Sequence, residues 1–189
     1  MNPPINQIKL LILDIDGVLT DGTKLYDSDG RVSYKRFNDK DFTAIKRFKA
    51  SGVSVCFLTG DLNVNEVMAK KRGIDLYYSR TKEGSLNKSS FLPMLYEKYQ
   101  SERCSTVYVG DDLFDLDIIK ELGLNNSYCP ADAIVDVRLH CNTILSVPGG
   151  TGVVAELYDE LVYTGRIQNS SFETVVEIDR VESMTALKK

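Results

Sequence analysis

The sequence is poor in the residues on which several common enzyme chemistries depend. Its 189 residues include one histidine, His140, and no tryptophan. A single histidine argues against a histidine nucleophile or base and against metal sites built from several imidazoles. Chemistry in this chain therefore has to use carboxylates, lysines and hydroxyl groups.

Paired cysteines, positive charge and long apolar runs are also scarce. The four cysteines lie far apart with no C-x-x-C pair, which favours reduced thiols in a cytoplasmic protein. The net charge is −4 and no basic cluster is present, which argues against nucleic acid as a partner. No apolar stretch approaches the roughly 20 residues of a membrane span, and the polar residues 1–7 do not resemble a signal peptide.

Short apolar runs alternate with amphipathic stretches along most of the chain. Two of the runs, 9–13 and 53–59, are apolar on both faces, as strands of a parallel sheet are. Amphipathic stretches that stop at Gly52, Gly73 and Gly123 predict helices between the strands. This alternation predicts a doubly wound α/β sheet, which binds ligands at the carboxyl ends of its strands.

The other predicted elements complete one domain, 1–163. Further strands are expected at 75–79 and 105–112, and within 124–129 and 142–147. A β-hairpin is predicted over 23–37, where two short runs flank the turn sequence D-S-D-G. The segment 164–189 is polar and has no clear periodicity, so we expect a tail that is mobile or docks on a partner.

Acidic residues follow two of the predicted strands. Asp14 ends the first strand and Asp16 lies two residues further on, so an extended chain points both carboxylates to the same side. The sequence G-D-D-L-F-D, residues 110–115, follows the fourth strand. Taken singly, such residues are commonly helix caps or turn formers. Because the carboxyl ends of parallel strands share one edge, we expect the two groups to converge.

A hydroxyl and an ammonium group complete the predicted cluster. Thr59 ends the second strand and is followed by Gly60, whereas Lys88 begins a helix that leads into the fourth strand. Taken alone, Thr59 and Gly60 are compatible with an ordinary loop, and Lys88 with a solvated helix position. The order of these groups along the chain, each at a strand end or a helix start, favours a common site.

Four segments resemble the motifs of the haloacid dehalogenase superfamily of aspartate-nucleophile phosphatases. They are D-I-D-G (14–17), L-T-G-D (58–61), Lys88 and G-D-D-L-F-D (110–115), within a match from about residue 9 to 163. Lys82 competes for the lysine position, but Lys88 has the distance to G-D-D that is typical of the family.

Other segments are similar to one cap-less branch of that superfamily, which dephosphorylates 3-deoxy-D-manno-octulosonate 8-phosphate or nine-carbon ulosonate 9-phosphates. These segments are D-G-V-L-T-D-G, F-N-D-K-D, P-A-D-A and P-G-G-T-G-V-V-A-E-L. Ala155 departs from the pattern, because this branch usually has Arg at that position.

The resemblance implies an Mg²⁺-dependent phosphatase. Asp14 is then the nucleophile that forms an aspartyl-phosphate, and Asp16 is the general acid and base. The implied metal ligands are Asp14, Asp111 and the backbone carbonyl of Asp16, in keeping with the preference of Mg²⁺ for oxygen. Asp112 and Asp115 are expected to orient the metal ligand Asp111 or the metal-bound waters.

The resemblance also assigns the groups that bind substrate. Thr59, Gly60 and Lys88 are expected at the phosphoryl oxygens. Octulosonate phosphatases of this branch typically have Arg after L-T-G, and enzymes acting on nine-carbon sugar acids of the sialic-acid type can have a carboxylate. Asp61 therefore favours a nine-carbon substrate. Arg72, on the same face of the predicted helix, is expected to balance its charge, and the alternative for Asp61 is a helix cap.

Three other functions share parts of this pattern. A response-regulator receiver has its phosphorylated Asp on the third strand, whereas here the second acidic group follows the fourth. A phosphomutase needs a cap domain, and no insertion here exceeds a hairpin. A non-catalytic assembly domain of this fold does not require every catalytic position to be filled. The resemblance further implies a homotetramer in which hairpins pack together and a neighbour helps to close each site.

Overall fold

The computed structural model describes residues 7–81, 84–85 and 87–186. The strands are β1 (Leu10–Leu13), β2 (Leu25–Tyr26), β3 (Val32–Tyr34), β4 (Ser54–Thr59), β5 (Asp75–Tyr78), β6 (Arg80–Thr81), β7 (Gly84–Ser85), β8 (Thr106–Val109), β9 (Ser127–Cys129) and β10 (Thr143–Ile144). The helices are α1 (Asp39–Ala50), α2 (Val64–Arg72), α3 (Leu92–Tyr99), α4 (Leu116–Leu122), α5 (Val135–Arg138), α6 (Val153–Tyr163) and α7 (Phe172–Ala186).

Six strands form a parallel sheet in the order β10-β9-β8-β1-β4-β5. Alternate residues of β1 enter the two apolar cores, one on each face of the sheet. Leu11 and Leu13 pack in the core that includes Phe48 of α1, whereas Leu10 and Ile12 pack in the core on the other face. This double coverage explains why every residue of β1 is buried and apolar. The predicted doubly wound α/β fold is confirmed.

The central strands end level with one another. β1 lies between β4 and β8, and Leu13 is in register with Phe57 and Val109. The N–H of Asp14 continues this pairing by donating to the carbonyl of Val109 at 3.0 Å. Because of this register, the residues that follow β1, β4 and β8 begin at the same edge of the sheet.

The hairpin predicted after the first strand is present, and we call it the flap. β2 and β3 pair antiparallel over only two and three residues. Three large apolar side chains of the flap are exposed, namely Leu25 (58%), Tyr26 (63%) and Tyr34 (71%). The described residues contain no cap domain over the sheet edge. A second, smaller hairpin, β6 with β7, follows β5 and was not predicted from the sequence.

The expectation for the C-terminal segment needs correction. Residues 172–186 are helical, as α7, and this helix packs against α1. Lys46 and Lys49 of α1 pair with Asp179 and Glu182 of α7, the second pair at 2.6 Å. The helix was not predicted because its apolar residues do not form a clear stripe, and four of the large ones, Phe172, Val176, Val181 and Met184, are exposed. Ion pairs with a distant part of the chain help to hold it in place. Within the described residues, no helix combines the length and hydrophobicity that crossing a membrane requires.

Candidate active site

A cleft of about 270 Å³ opens at the carboxyl edge of the sheet. Every predicted site residue except Arg72 lines it: Asp14, Asp16, Thr59, Gly60, Asp61, Lys88, Asp111, Asp112 and Asp115. The structure therefore brings together residues that are as far apart in the chain as Asp14 and Asp115. Lys82 lies outside the described residues.

Lys88 is the central cation of the buried part of the cleft. Its Nζ donates to Asp14 Oδ1 at 2.8 Å, to Asp115 Oδ1 at 2.5 Å and to the hydroxyl of Tyr108 at 3.0 Å. Burial alone would lower the pKa of Lys88, but the adjacent carboxylates of Asp14 and Asp115 raise it. Lys88 therefore stays charged and lies within hydrogen-bond reach of the predicted nucleophile.

Asp115 acts as a structural centre for the acidic loop. Its Oδ1 accepts from Lys88 and from the hydroxyl of Tyr108 at 2.6 Å. Its Oδ2 accepts from the backbone N–H groups of Asp111 and Asp112 at 2.8 and 3.0 Å. With both oxygens already bonded, Asp115 is better suited to orienting the loop than to binding a ligand. The Asp112 carboxylate accepts from the N–H of Leu113 at 2.7 Å.

Three carboxylates cluster at this edge, and two of them, Asp14 and Asp111, are suited to binding a divalent cation. One oxygen of each of Asp14, Asp111 and Asp115 lies within 4.8 Å of the others. Asp111 Oδ1 is buried without a hydrogen-bond partner among the described residues. Burial raises the pKa of Asp111 to about 8, and the charges of Asp14 and Asp115 act in the same direction. A hard cation that prefers oxygen, such as Mg²⁺, would satisfy the unpaired atom and neutralise this repulsion.

The pKa of the predicted nucleophile is also raised. Burial is the main cause, and the charge of Asp115 adds to it, while Lys88 opposes both. A cation near Asp14 would favour its ionised form, which is the form that attacks an electrophile. The donor set of Asp14 and Asp111, supported by Asp115, therefore fits the Mg²⁺ that the sequence predicts.

Glycines let the loop after β1, which carries Asp14 and Asp16, pack closely against two other segments. A Cβ at Gly17 would lie 2.0 Å from Asp111 Oδ2, so only glycine lets that carboxylate approach. A Cβ at Gly149 would lie 2.1 Å from the carbonyl oxygen of Gly17, and one at Gly150 would lie 2.6 Å from the backbone nitrogen of Asp21. The segment P-G-G therefore supports the loop that carries Asp14 and Asp16.

Asp16 is held by the flap. Lys35 Nζ donates to Asp16 Oδ1 at 2.7 Å, to Asp61 Oδ2 at 2.8 Å and to Asn65 Oδ1 at 3.0 Å. The side chain of Lys35 has no exposed surface. Lys24, also of the flap, lies 2.9 Å from Asp61 Oδ2. Two flap lysines thus join the predicted acid–base residue to Asp61.

Thr59 is oriented as an acceptor by its surroundings. Asn65 Nδ2 and the N–H of Asp61 both donate to Thr59 Oγ1, at 3.3 and 3.2 Å. Its own hydroxyl proton is thereby left for another acceptor. Such an arrangement suits the binding of a phosphoryl oxygen at the end of β4.

The structure corrects the expectations for Arg72 and for the alternative role of Asp61. Asp61 does not cap α2, which begins at Val64 after Asn63. Arg72 Nη2 lies 3.4 Å from Asp39 Oδ1, and the Arg72 guanidinium stacks on the ring of Phe42. Arg72 therefore does not contact Asp61. Burial alone would raise the pKa of Asp61, but Lys35 and Lys24 lower it.

Sequence reasoning missed several residues of the cleft. Lys24, Lys35, Asn65, Arg80 and Tyr108 contact or line it. The two flap lysines had a signal, since they lie in a hairpin predicted beside the first acidic pair. Asn65 had none, because a single amide in a helix is not distinctive.

Comparison with known proteins identifies relatives of the chain. No protein-family model matches it. The curated 3-deoxy-D-manno-octulosonate 8-phosphate phosphatase KdsC of Haemophilus influenzae is 31% identical over 175 residues, which are 92% of this chain and 93% of that protein.

Two solved structures illustrate the similarity of fold. A putative HAD superfamily (subfamily III A) hydrolase from Legionella pneumophila has a TM-score of 0.75 and 28% identity, covering 90% of this chain and 88% of its own. The 3-deoxy-D-manno-octulosonate 8-phosphate phosphatase of Moraxella catarrhalis, in complex with magnesium, phosphate and KDO, has a TM-score of 0.72 and 28% identity, covering 82% and 86%. The chain belongs to the haloacid dehalogenase superfamily and is a magnesium-dependent phosphatase of its KdsC-like group.

Proposed function

We propose that this enzyme hydrolyses the phosphomonoester of a 2-keto-3-deoxy sugar acid phosphate through an aspartyl-phosphate at Asp14. The position of Asp14 carries the proposal. Lys88 bonds one of its oxygens, and the residue lines the cleft beside the unpaired oxygen of Asp111. The substrate class is supported by the curated relative, which is a phosphatase of 3-deoxy-D-manno-octulosonate 8-phosphate.

Asp14 and Asp16 divide the chemical work. Asp14 attacks phosphorus, the bond from phosphorus to the ester oxygen breaks, and Asp16 gives its proton to the departing alkoxide. Asp16 then takes a proton from water, and the oxygen of that water attacks phosphorus and releases phosphate from Asp14. Lys88 and Thr59 donate to the phosphoryl oxygens. Asp14, Asp111 and the backbone carbonyl of Asp16 would hold Mg²⁺, and the cation would neutralise the charge between the carboxylates and the substrate.

Turnover of defined phosphomonoesters tests this function. With Mg²⁺, we expect hydrolysis of a generic aryl phosphate and much faster hydrolysis of a sugar acid phosphate. Asp14→Asn is the matched inactive control. A wild-type protein that hydrolyses neither compound would show a non-catalytic assembly domain instead.

Two chain lengths remain as candidates for the sugar acid. The names of the relatives support the eight-carbon 8-phosphate. Asp61 supports a nine-carbon 9-phosphate of the sialic-acid type, because its carboxylate lines the cleft, does not cap a helix and can accept hydroxyl hydrogen bonds. Lys24 and Lys35 supply the positive charge that such an acid needs beside an anionic substrate.

Measuring kcat/KM for both sugar acid phosphates decides between them. If Asp61 selects the longer substrate, the wild type prefers the nine-carbon compound and Asp61→Asn loses that preference. A clear wild-type preference for octulosonate 8-phosphate would refute the nine-carbon assignment. An unchanged ratio in Asp61→Asn would show that Asp61 only anchors the flap lysines.

We also propose a homotetramer in which flaps of neighbouring subunits pack together, in a protein that acts in the cytoplasm. The exposed Leu25, Tyr26 and Tyr34 support contact between flaps, since a hairpin this short is marginally stable alone. Free thiols at all four cysteines support a reducing compartment. Light scattering tests the assembly, and a fully active monomer would refute it.

A further inference from the structure

Arg80 is a cation at the rim of the cleft. It begins β6, directly after the sheet strand β5, and its side chain is exposed. Among the described residues, no hydrogen bond or ion pair engages its guanidinium. The other cations that line the cleft are occupied, since Lys24 pairs with Asp61 and Lys88 pairs with Asp14.

Two neighbours place the Arg80 side chain beside the catalytic groups. A Cβ at Gly60 would lie 3.2 Å from Arg80 Nε, so the guanidinium lies along the residue that follows Thr59. The guanidinium carbon lies 5.8 Å from the ring centroid of Phe114. Phe114 also lines the cleft, and 58% of its surface is exposed. Arg80 and Phe114 therefore form a cationic and apolar pair at the rim, next to the proposed phosphate site.

The proposed substrate brings a second negative charge into a cleft that is already rich in carboxylates, and the Arg80–Phe114 pair can compensate this charge. A sugar acid phosphate carries a carboxylate in addition to its phosphate, and the cleft already contains the carboxylates of Asp16, Asp61 and Asp112. Lys88 and Thr59, deeper in the cleft, suit the phosphate. A second anion therefore needs another cation near the rim. The planar guanidinium of arginine matches a carboxylate through two parallel hydrogen bonds.

We propose that Arg80 binds the carboxylate of the sugar acid while Phe114 contacts its carbon chain, so that this pair selects sugar acid phosphates over sugar phosphates that have no carboxylate. The inference rests on the proposed function and adds a specificity-determining residue to it. Arg80 contacts the leaving group and takes no part in the attack on phosphorus. Its loss therefore affects substrates according to whether they carry a carboxylate.

Kinetics of Arg80→Ala and Arg80→Lys with three substrates test the proposal. The substrates are 3-deoxy-D-manno-octulosonate 8-phosphate and two phosphomonoesters that have no carboxylate, mannose 6-phosphate and p-nitrophenyl phosphate. We expect Arg80→Ala to lower kcat/KM for the acid by about 10- to 100-fold, mainly through KM, because charge-assisted hydrogen bonds are lost. Both substrates without a carboxylate should keep their wild-type kcat/KM, and Arg80→Lys should restore part of the loss seen with the acid.

Arg180→Ala is the matched control. It removes the same charge from α7, where Arg180 is exposed and pairs with Glu177, and we expect no effect on any substrate. An equal loss on all three substrates in Arg80→Ala would overturn the proposal and place Arg80 at the phosphate. Unchanged kinetics for the acid would also overturn it.

Failure of the proposed function gives a different result. In that case the wild type itself hydrolyses none of the three compounds or does not prefer the acid. A wild type that prefers the acid, with an Arg80→Ala variant that keeps this preference, contradicts only the role of Arg80. Melting temperatures of the variants show that each one is folded.

Discussion

Asp14 and Asp16 lie two residues apart, yet different parts of the molecule hold them. Asp14 is bonded by the buried Lys88, which Tyr108 and Asp115 fix from β8 and the loop after it. Asp16 is bonded by Lys35 from the flap. The proposed nucleophile is thus part of the interior of the domain, whereas the proposed acid–base residue depends mainly on a peripheral hairpin, with a further bond from Asn65 of α2.

This difference separates stability from catalysis. The carboxylates of Asp14 and Asp115 are buried and share one cation, Lys88, so removing that cation leaves uncompensated charge in the interior. The flap has strands of only two and three residues, and a hairpin of that size has little stability of its own. Changes in the flap should therefore disturb the chemistry more than the fold.

Asp14→Asn is expected to have the largest effect. Turnover should fall to background because the nucleophile is lost, while the fold should persist because repulsion among the carboxylates is relieved. Asp16→Asn should retain more activity, since general acid–base catalysis contributes roughly 10² to 10⁴ in rate. Steady-state kinetics and a thermal melt of both variants check this. Near-normal turnover in Asp14→Asn would rule out the covalent mechanism.

Lys88→Met and Lys35→Met test the difference between the interior and the flap directly, because each removes the lysine that holds one of the two aspartates. Lys88→Met should lower the free energy of unfolding by about 3–5 kcal/mol, because it leaves Asp14 and Asp115 without their cation. Lys35→Met should cost less stability, because its partners Asp16 and Asp61 are partly exposed to water and Lys24 still pairs with Asp61. It should lower kcat, because Asp16 loses its anchor. Denaturant titrations give the free energies, and kcat is measured beside them. Equal losses of stability in the two variants would contradict the division between interior and flap.

Asp41 extends the comparison to a buried carboxylate that is held by amides. Its Oδ1 accepts from the N–H groups of Val154 and Ala155 at the start of α6, yet burial raises its pKa to about 6. Because the folded protein holds this proton more tightly than the unfolded chain, Asp41 lowers stability as the pH rises from about 4 to 6.

Between pH 4 and 6, ionisation of Asp41 lowers the free energy of unfolding by about 3 kcal/mol. Asp41→Asn keeps the acceptor oxygen and should therefore remove this part of the pH dependence. Denaturant titrations of wild type and variant from pH 4 to 7 measure the difference. Parallel curves over the whole range would contradict the prediction.

Removal of Mg²⁺ is expected to have the smallest effect on free energy, although it should stop turnover. At a free Mg²⁺ concentration about 100 times Kd, binding adds about 2.7 kcal/mol to the stability of the folded state. Melting temperatures with a chelator and with excess Mg²⁺ measure this shift. Asp111→Asn should reduce the shift in melting temperature that Mg²⁺ causes, whereas Lys35→Met should leave this shift nearly unchanged. If neither the melting temperature nor the activity changes when the chelator is added, the metal site is refuted.

The sequence was sufficient for the residues at strand ends. Asp14, Thr59 and residues 110–115 follow apolar strands, and parallel strands carry such residues to one edge whatever the details of packing. Lys88 was predicted from its place at a helix start and its distance to G-D-D. The order of elements and the hairpin followed from hydrophobic pattern and turn residues.

Other contacts depend on geometry that pattern does not encode. Lys35 reaches Asp16 only because the flap folds back over the sheet edge. The expectation for Arg72 was wrong because Asp61 lies before the helix, so counting helical turns between the two did not apply. The position of α7 depends on ion pairs with α1, more than a hundred residues earlier in the chain.

The contact of Gly149 and Gly150 with the loop after β1 has a consequence for protein synthesis. The loop that carries Asp14 and Asp16 leaves the ribosome early, but the two glycines that support it are translated well over a hundred residues later. A nascent chain can therefore assemble most of its sheet before its catalytic loop is complete. Prematurely terminated products that lack this segment would be inactive, and at these two positions even a change to alanine would have the effect of a much larger substitution.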